Sequence, residues 1–482
     1  MNVYLVYTDV ASYHGLPYHP GLASLAAVLL ERGHHVKVGY LTSEDQYGDI
    51  VKEVVDFQAG VVGFTTVETQ FAYVQDLAAC IKAKHACTTV VGGTAITLGP
   101  EAVLEPRSAS LDCGMRGECE HAFLELVEKV QRGEDYHGVN NLCYRHPQTG
   151  LLVVNPLNPQ IEALETIPHP ATAVFEYQRI IDEHNLALFH FNRGCPYPCT
   201  YCAARVLGLQ YGSMKESIRP RSVDSTIEEI KLTLEQYHVP STTLLMFTDD
   251  LFTLNKKWLY DFLARYEAEI ARPFWCTARS NIVNPELFDR LKSAGCYKVM
   301  MSIESGNDFI RNQVMKRGIS RKILFQSFEW AHQFDVKTCG VCIVGVPFET
   351  PETVEDSIAT VAQLNPTDKG CNIFYPYKGT PLRKVCEENG FMPNVLSENV
   401  KERFQSILNL PTISKEQILH YHDNWEHLVI DHRPLRERVG YSLRNTYHVV
   451  TKTAVGKHMK TFVNRNTYAR KVKEGFLQAM GV

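Results

Sequence analysis

Short hydrophobic runs alternate with amphipathic stretches from Val3 to about Gly133. The runs are rich in β-branched residues and read "VYLVY", "VKVGYL", "VVGFTT" and "TTVVGG". The stretches between them, such as "GLASLAAVLLERG" and "QFAYVQDLAACIKAKH", repeat their apolar positions at helical spacing. Strands and helices that alternate in this way form a doubly wound parallel sheet. The pattern therefore predicts an α/β domain over residues 1–140.

The alternation stops over residues 141–185 and then resumes. The intervening linker is rich in Pro and Asn, and "NLCYRHPQTGLLVV" within it predicts a small hairpin. From Leu186 six candidate strands follow: "LALFHF", "TLLMFTDD", "FWCTARS", "YKVMMSIES", "TCGVCIVGVP" and "CNIFYPY". Amphipathic segments such as "STIEEIKLTLEQY" separate them, which predicts a partial (β/α)6 barrel over residues 186–390. Residues 391–482 are more polar and predict a small helical C-terminal domain.

Composition excludes some classes of function. The chain has 482 residues and a formal net charge of −5, so nothing in its overall charge indicates a nucleic-acid partner or a membrane surface. The first residues, "MNVYLVYTDV", lack the features of a signal peptide, and no apolar stretch is long enough to be a transmembrane segment. We therefore expect a cytoplasmic protein. In that reducing compartment most of the 14 cysteines are expected to be buried thiols, and a minority to be metal ligands.

Three cysteines stand out by their spacing. Cys195, Cys199 and Cys202 lie in "FNRGCPYPCTYCAA", directly after the first strand of the second alternation, at the rim where barrel active sites form. Three thiolates on one short loop can bind three irons of a cubane cluster and leave the fourth iron open to a substrate. Zinc is the alternative metal, but structural zinc prefers four ligands in separated pairs, and no second pair is present. Three unrelated thiols in a Pro-stiffened loop are the other alternative.

The motif Cys-x3-Cys-x2-Cys, with Tyr201 before its last cysteine, resembles the signature of the radical S-adenosylmethionine (SAM) superfamily. The resemblance continues at later strand ends, in "FTDD", "TARSN", "SIESGN" and "VGVPFET". It implies a 4Fe-4S cluster whose open iron chelates SAM. One electron from that cluster then cleaves SAM to a 5′-deoxyadenosyl radical, which abstracts hydrogen from an unactivated carbon.

The same resemblance implies residues that contact SAM. Asp249 or Asp250 would meet its ammonium group and Arg279 its carboxylate, through charge-assisted bonds. The remaining expected contacts are the ribose hydroxyls with Ser302 and Glu304, and adenine with the backbone and ring of Tyr201.

Each of these residues also has a structural alternative. The two aspartates could cap the following helix, and Glu304 could neutralise Lys298 or Arg311. One departure from the family concerns the second strand, where many members have Gly-Gly-Glu and this chain has "TDDLF".

The N-terminal alternation resembles the cobalamin-binding domain that precedes the radical core in one large subfamily. The segments concerned are "YHPGLASLAAVLLERGHHVKV", "VVGFTTVETQFAYV", "VVGGTAIT" and "RGECEHAF". Gly92 and Gly93 would let the backbone approach a flat ligand at a Rossmann-like switch point. Thr65, Thr66 and Thr94 would hydrogen-bond the cofactor's amides and nucleotide tail, although helix capping alone would also explain them.

This N-terminal resemblance is incomplete at two positions. The Asp-x-His-x-x-Gly motif, whose histidine ligates cobalt, is absent from "TDVASYHGLPYHPG", and "DYHGVN" at residues 135–140 matches it only in part. Many radical members of the family also lack that histidine. Cys119 replaces the second glycine of the usual Gly-Glu-Gly-Glu turn.

Other chemistry-bearing residues are expected to be structural. Cys339 and Cys342 would point to opposite faces of one strand and so not share a metal. The core thiols and surface histidines that we expect are Cys276, Cys296 and Cys371, and His420, His422 and His427. From residue 451 to 482 the chain has seven Lys or Arg against one Glu, which suits either an anionic or lipid-like substrate or a docked helix with a solvated basic face.

The two resemblances together imply a cobalamin-dependent radical SAM enzyme, with SAM, a 4Fe-4S cluster and cobalamin as cofactors. Its expected reaction is methyl transfer to an unactivated carbon, or less commonly phosphorus, of a small-molecule or lipid-like substrate. An external flavodoxin or ferredoxin would supply electrons. The alternatives are a non-methylating radical enzyme, such as an oxidative cyclase, and, from another class, an iron-sulfur electron carrier or redox sensor.

Overall fold

The N-terminal sheet of the computed structural model has seven strands, in the order β2-β1-β3-β4-β5-β6-β7. The structure describes residues 1–10, 15–394 and 400–434. The strands are β1 (Asn2–Thr8), β2 (His35–Leu41), β3 (Val61–Thr65), β4 (Thr88–Gly92), β5 (Cys113–Met115), β6 (Leu142–Arg145) and β7 (Leu152–Val154). The helices are α1 (Pro20–Glu31), α2 (Tyr47–Asp56), α3 (Phe71–Lys82), α4 (Thr94–Leu98) and α5 (Glu120–Arg132).

Strands β1 to β5 of this sheet are parallel, and a hydrophobic cluster covers each face. Helix α1 begins at Pro20, whose fixed φ suits the first helical position, and His19 accepts a hydrogen bond from the amide of Leu22. Helix α5 is followed by Gly133, which adopts the left-handed conformation that closes many helices. The predicted doubly wound α/β domain is confirmed.

The predicted hairpin also forms, since β6 and β7 pair antiparallel. Strand β6 in turn pairs antiparallel with β5, so the hairpin adds two strands to the first sheet. That sheet therefore extends beyond residue 140, where the sequence predicted the linker to begin. Helix α6 (Tyr177–His184) then leads into the second sheet.

The second sheet has six parallel strands in the order β15-β14-β13-β12-β11-β8. They are β8 (Leu186–Phe189), β11 (Leu244–Phe247), β12 (Phe274–Ala278), β13 (Cys296–Met301), β14 (Lys337–Val344) and β15 (Asp368–Ile373). Two short strands, β9 (Asn192–Arg193) and β10 (Arg219–Pro220), form a separate antiparallel ribbon. The order confirms the predicted partial barrel of six βα units.

Helices follow the barrel strands along the chain. They are α7 (Ala203–Gln210), α8 (Val223–Gln236), α9 (Lys256–Glu269), α10 (Pro285–Ser293), α11 (Arg321–Gln333), α12 (Pro351–Leu364) and α13 (Pro381–Glu388). Phe247 at the end of β11 packs its ring against Phe189, Phe252 and Phe274. This aromatic core supports the strand ends at which the site forms, because close-packed rings hold the surrounding backbone rigidly.

The C-terminal part contains α14 (Lys415–Asp423) and α15 (Trp425–Asp431). The basic segment of residues 451–482 lies outside the described residues. Among the residues that are described, no helix combines the length and apolar character needed to cross a bilayer.

Candidate active site at the carboxyl edges of the two sheets

The three predicted cysteine ligands lie on the loop between β9 and α7. Gly194 opens this loop with φ of 87°, and a Cβ there would lie 2.2 Å from the carbonyl oxygen of Ser217, so the turn requires glycine. Cys202 closes the loop as the residue before α7. Burial raises the pKa of Cys195 and that of Cys202, the latter to about 12, and the three thiols are close enough to influence one another's ionisation.

The surroundings of Cys199 fit a negatively charged cluster. Its sulfur is buried, and the Nη1 atoms of both Arg279 and Arg317 lie 3.8 Å from it. Within the described residues, no three His, Cys, Asp or Glu side chains lie close enough together to hold a single metal ion. A cubane does not need such convergence, because each thiolate binds a different iron.

Arg279 follows β12 and is 4% exposed. Its guanidinium stacks 3.8 Å from the ring centroid of Tyr197 and donates to the carbonyl of Arg317. Its Nε has no hydrogen-bond partner despite being buried. The predicted SAM carboxylate contact therefore has a cation beside the cysteine loop with one donor still available.

Glu304 and Tyr201, both predicted SAM contacts, meet directly. The Tyr201 hydroxyl donates to the Glu304 carboxylate at 2.8 Å, and Arg317 lies 3.6 Å from the same carboxylate. Arg317 also donates to the carbonyl of Ser302 at 3.0 Å. Lys298 and Arg311, the cations proposed as structural partners of Glu304, pair instead with Asp368 and Asp308.

Arg317 is the residue that sequence reasoning missed. It contacts Cys199 and Tyr201, which both lie more than a hundred residues earlier in the chain, and it also pairs with Glu304. The only local signal is an arginine before Gly318, in the segment "VMKRGIS". No spacing rule links that arginine to a cysteine loop more than a hundred residues earlier.

The two aspartates after β11 have different surroundings. Asp249 is buried, and one of its carboxylate oxygens accepts hydrogen bonds from the amides of Phe191 and Asn192. Burial raises the pKa of Asp249, while those amides and His190 lower it. Asp250 is exposed and close enough to Cys195 and Cys202 to raise the pKa of both thiols. Asp250 is thus the aspartate better placed to meet a ligand at the cysteine loop.

The predicted cobalamin contacts lie together at the carboxyl edge of the first sheet. Thr65, at the end of β3, is in register with Gly92 at the end of β4 and with Tyr7 in β1. Gly93 has φ of 92°, and a Cβ there would lie 2.4 Å from the carbonyl oxygen of Thr66. Thr94 begins α4.

This edge has room and free hydrogen-bonding capacity for a ligand. A Cβ on Gly92 would meet nothing closer than two backbone oxygens at 3.8 Å. The hydroxyl of Thr8, at the end of β1, is buried without a hydrogen-bond partner. The edge lies where the strand order reverses between β1 and β3, which is the place where open α/β sheets bind ligands.

One small pocket is lined by residues of both domains. Glu68 and Thr94 line it from the first domain, and Tyr377 and Lys378, which follow the last barrel strand, line it from the second. The predicted cobalamin edge therefore faces the carboxyl end of the barrel.

Two family profiles match separate parts of the chain. The B12 binding domain profile covers residues 8–127, and the Radical SAM superfamily profile covers residues 189–361. The chain belongs to the radical SAM superfamily and contains a B12-binding domain. It is accordingly a radical SAM enzyme, with a 4Fe-4S cluster, SAM and cobalamin as its cofactors.

Relatives of this radical SAM enzyme match it over most of its length. An uncharacterised methyltransferase of Pyrococcus horikoshii is 29% identical, covering 83% of this chain and 84% of that protein. The cytidylyl-2-hydroxyethylphosphonate methyltransferase of Streptomyces wedmorensis is 23% identical, with 83% and 84% covered. The methyltransferase TsrM from Kitasatospora setae has the same fold, with a TM-score of 0.66, 18% identity, and 88% of this chain and 83% of TsrM covered.

Other cysteines of the radical SAM core lie away from this site. Cys276 and Cys296 are buried, as expected for core thiols, and Cys371 is half-buried. Along β14, Cys342 belongs to the buried face and Cys339 to the partly exposed one, so the two thiols do not form a metal pair.

Replacing Gly93 in the B12-binding domain by alanine is expected to destabilise the turn after β4. The left-handed φ and the 2.4 Å approach to Thr66 oxygen both oppose a side chain there, at a cost of about 1–3 kcal/mol. Thermal unfolding and titration with hydroxocobalamin would measure the loss of stability and of affinity. Gly138→Ala is the matched control, because a Cβ at Gly138 meets no atom within 4 Å. Equal effects of the two substitutions would contradict this prediction.

Proposed function

We propose that this enzyme transfers a methyl group to an unactivated carbon, or to phosphorus, of a small-molecule substrate. The supporting observation is that the carboxyl edges of the two domains meet, since Thr94 and Glu68 of the B12-binding domain line one small pocket together with Tyr377 and Lys378 beyond the last barrel strand. A substrate bound between these two edges would be close to both cofactors. Proximity of this kind replaces a collision between separate reactants, which is a sufficient reason to join the two domains in one chain.

Separate sets of residues would bind the cluster and SAM. Cys195, Cys199 and Cys202 would hold the cluster, and Arg279 would pair with the SAM carboxylate. When bound, the cluster supplies the electron that cleaves SAM, and cobalamin supplies the methyl group.

The buried Arg317–Glu304 pair would give the SAM site a rigid wall. Glu304 has two oxygens, and the Tyr201 hydroxyl donates to one of them. Its remaining acceptor capacity would serve the ribose hydroxyls. Because Glu304 and Arg279 are both buried, water is largely excluded around them, which strengthens every charge-assisted bond made there.

Substitution Arg279→Ala is expected to weaken SAM binding by about 1.5–3 kcal/mol, which corresponds to roughly a 10- to 150-fold higher Kd. The reason is the loss of a charge-assisted partner for the carboxylate. Isothermal titration of the cluster-loaded protein with SAM would measure the change. Arg279→Lys, which keeps the charge but not the fork of donors, should recover part of the affinity. If Arg279→Ala binds SAM as tightly as the parent protein, another group binds the carboxylate.

Methyl transfer itself can be tested with deuterium-labelled SAM. The reduced, reconstituted enzyme would receive hydroxocobalamin, SAM with a deuterated methyl group, and an extract of cells lacking this protein. A product heavier by one labelled methyl group supports the proposal. Release of 5′-deoxyadenosine that depends on the extract, together with an unlabelled product, rejects it in favour of a cyclase or a rearrangement. A variant lacking the three cluster cysteines serves as the control for labelling by other methyltransferases in the extract.

The electron donor and the substrate class belong to the same proposal. A flavodoxin or ferredoxin would reduce the cluster in the cell, and dithionite replaces it in the assay. The basic segment of residues 451–482, which would favour an anionic or lipid-like substrate, lies outside the described residues and stays a prediction.

A further inference from the structure

Four charged side chains meet where the two domains touch. Glu118 and Glu120 come from the B12-binding domain, and Arg193 and Arg219 come from the radical SAM core. Arg193 donates to Glu120 at 2.6 Å and to Glu118 at 3.1 Å, and Arg219 donates to Glu118 at 3.0 Å. Their side chains are between 6% and 22% exposed. Two positive and two negative groups thus form a nearly buried, neutral cluster, which we call the interdomain clamp.

On the core side, the interdomain clamp adjoins the cysteine loop. Arg193 is separated from Cys195 only by Gly194. Strand β9, which contains Arg193, pairs with β10, which contains Arg219, so the two arginines are in register. A shift of Arg193 therefore moves the first cluster ligand directly, through the backbone.

The far end of α7 makes a second connection. This helix begins directly after Cys202, the last cluster ligand. At its other end the Tyr211 hydroxyl accepts a hydrogen bond from the amide of Glu118 at 2.8 Å, and Gln210 donates to the carbonyl of Thr97 at 2.8 Å. The cysteine loop is thus bonded to the B12-binding domain both before its first cysteine and after its last.

On the side of the B12-binding domain, the interdomain clamp is linked to the turn at Gly93, after β4, where cobalamin is predicted to bind. We call this turn the cobalamin turn. The amide of Gly117, next to Glu118, donates to the Thr97 hydroxyl at 3.1 Å. That hydroxyl donates to the carbonyl of Gly93 at 2.8 Å. A continuous series of hydrogen bonds and backbone therefore runs from Gly93 to Cys195.

We propose that Arg193, Glu118 and Glu120 are positioning residues that hold the cluster loop at a set distance from the cobalamin turn. The inference rests on the proposed function, because only a reaction that uses both cofactors on one substrate needs that distance. The physical reason is desolvation. If the domains shifted, nearly buried charges would lose their partners without regaining water, and this is strongly unfavourable. Exposed ion pairs do not oppose such movement, since water replaces the lost contact.

The test compares two variants that are both designed to fold. Glu120→Gln combined with Arg193→Gln removes one charge of each sign, so that Glu118 and Arg219 remain a neutral pair. Arg179→Gln is the matched control, because Arg179 also pairs with two glutamates, Glu176 and Glu183, but all three side chains are exposed.

The first measurement is the magnetic dipolar interaction between cobalt(II) and the reduced cluster, recorded by electron paramagnetic resonance without any substrate. Protein loaded with the cluster and hydroxocobalamin is reduced for this purpose. The parent protein and Arg179→Gln should show one defined interaction. The double variant should lose it in favour of a broad distribution, while its iron and cobalamin contents stay unchanged. A double variant with the parent's interaction would overturn the proposal.

The second measurement uses protein without cofactors. Amide hydrogen exchange at residues 116–119 and 194–202 should be about fivefold faster or more in the double variant, since loss of one such bond costs about 1 kcal/mol locally. Exchange equal to that of the parent would also overturn the proposal. The single variant Arg193→Lys keeps a charged donor. Its exchange rates at these residues should lie between those of the parent protein and those of the double variant.

These measurements separate this inference from the proposed function. A protein that binds no hydroxocobalamin would refute the proposed function, while the exchange measurement would still test the interdomain clamp. If the protein shows the dipolar interaction but transfers no labelled methyl group, the role of the interdomain clamp is supported and the proposed reaction is refuted.

Discussion

Replacing Cys195, Cys199 and Cys202 together by alanine is expected to lower bound iron from about four atoms per chain to background and to abolish release of 5′-deoxyadenosine. Each thiolate binds a different iron of the cubane, so their joint removal leaves the cluster without protein ligands. Iron analysis of anaerobically reconstituted protein and chromatography of its products after addition of dithionite and SAM would measure both effects.

A matched triple variant controls for the general loss of thiols. Cys80, Cys87 and Cys339 are at least partly exposed and lie outside the cysteine loop. Their replacement by alanine should leave the iron content and the 5′-deoxyadenosine yield unchanged. Full iron retention in the cluster-loop variant would refute the assignment of the cluster to these three cysteines.

Arg317→Gln is expected to destabilise the radical SAM core by about 3–5 kcal/mol, because it leaves Glu304 buried without its cation. Glu304 is 6% exposed, and Arg317 also donates to the Tyr201 hydroxyl at 3.3 Å and to the Ser302 carbonyl at 3.0 Å. One substitution thus disturbs three predicted SAM contacts. Urea denaturation of the cluster-free protein would give the change in unfolding free energy, and titration with SAM would give the change in affinity.

Arg290→Gln is the control for this prediction. Arg290 is exposed, forms an i,i+4 pair with Glu286 on α10, and places its guanidinium 4.3 Å from the ring centroid of Tyr260. Pairs of this kind contribute only about 0.3–0.5 kcal/mol. A loss of stability in Arg317→Gln no larger than in Arg290→Gln would show that Glu304 does not depend on Arg317.

The elements and their order follow from the sequence alone. Alternating hydrophobic runs and amphipathic segments predicted both parallel sheets, because a strand buried on two faces and a helix buried on one leave patterns of different period. The cysteine spacing predicted the cluster loop, since its three ligands are neighbours in the chain. The turn residues between β6 and β7 also predicted the hairpin that these two strands form. Its attachment to the first sheet was not, because the pairing of β6 with β5 depends on partners far apart in sequence.

The tertiary structure decided which polar residues are available to bind a ligand at the site. "FTDD" does not distinguish Asp249 from Asp250, yet the fold commits the first to two backbone amides and leaves the second exposed beside the cysteines. Glu304 was equally free to pair with Lys298 or Arg311 until packing brought Arg317 to it.

Local patterns were therefore enough to predict the two domains and the family of this protein, and they also indicate the three cysteines that we propose as cluster ligands. Only the tertiary structure decided which buried charges are neutralised by which partners. Glu304 pairs with Arg317 rather than with Lys298 or Arg311, and Arg193 pairs with Glu118 and Glu120 across a long separation in sequence. The physical reason is that an unpaired charge becomes costly only when the folded chain removes it from water. This cost depends on the folded structure and produces no periodic pattern in the sequence.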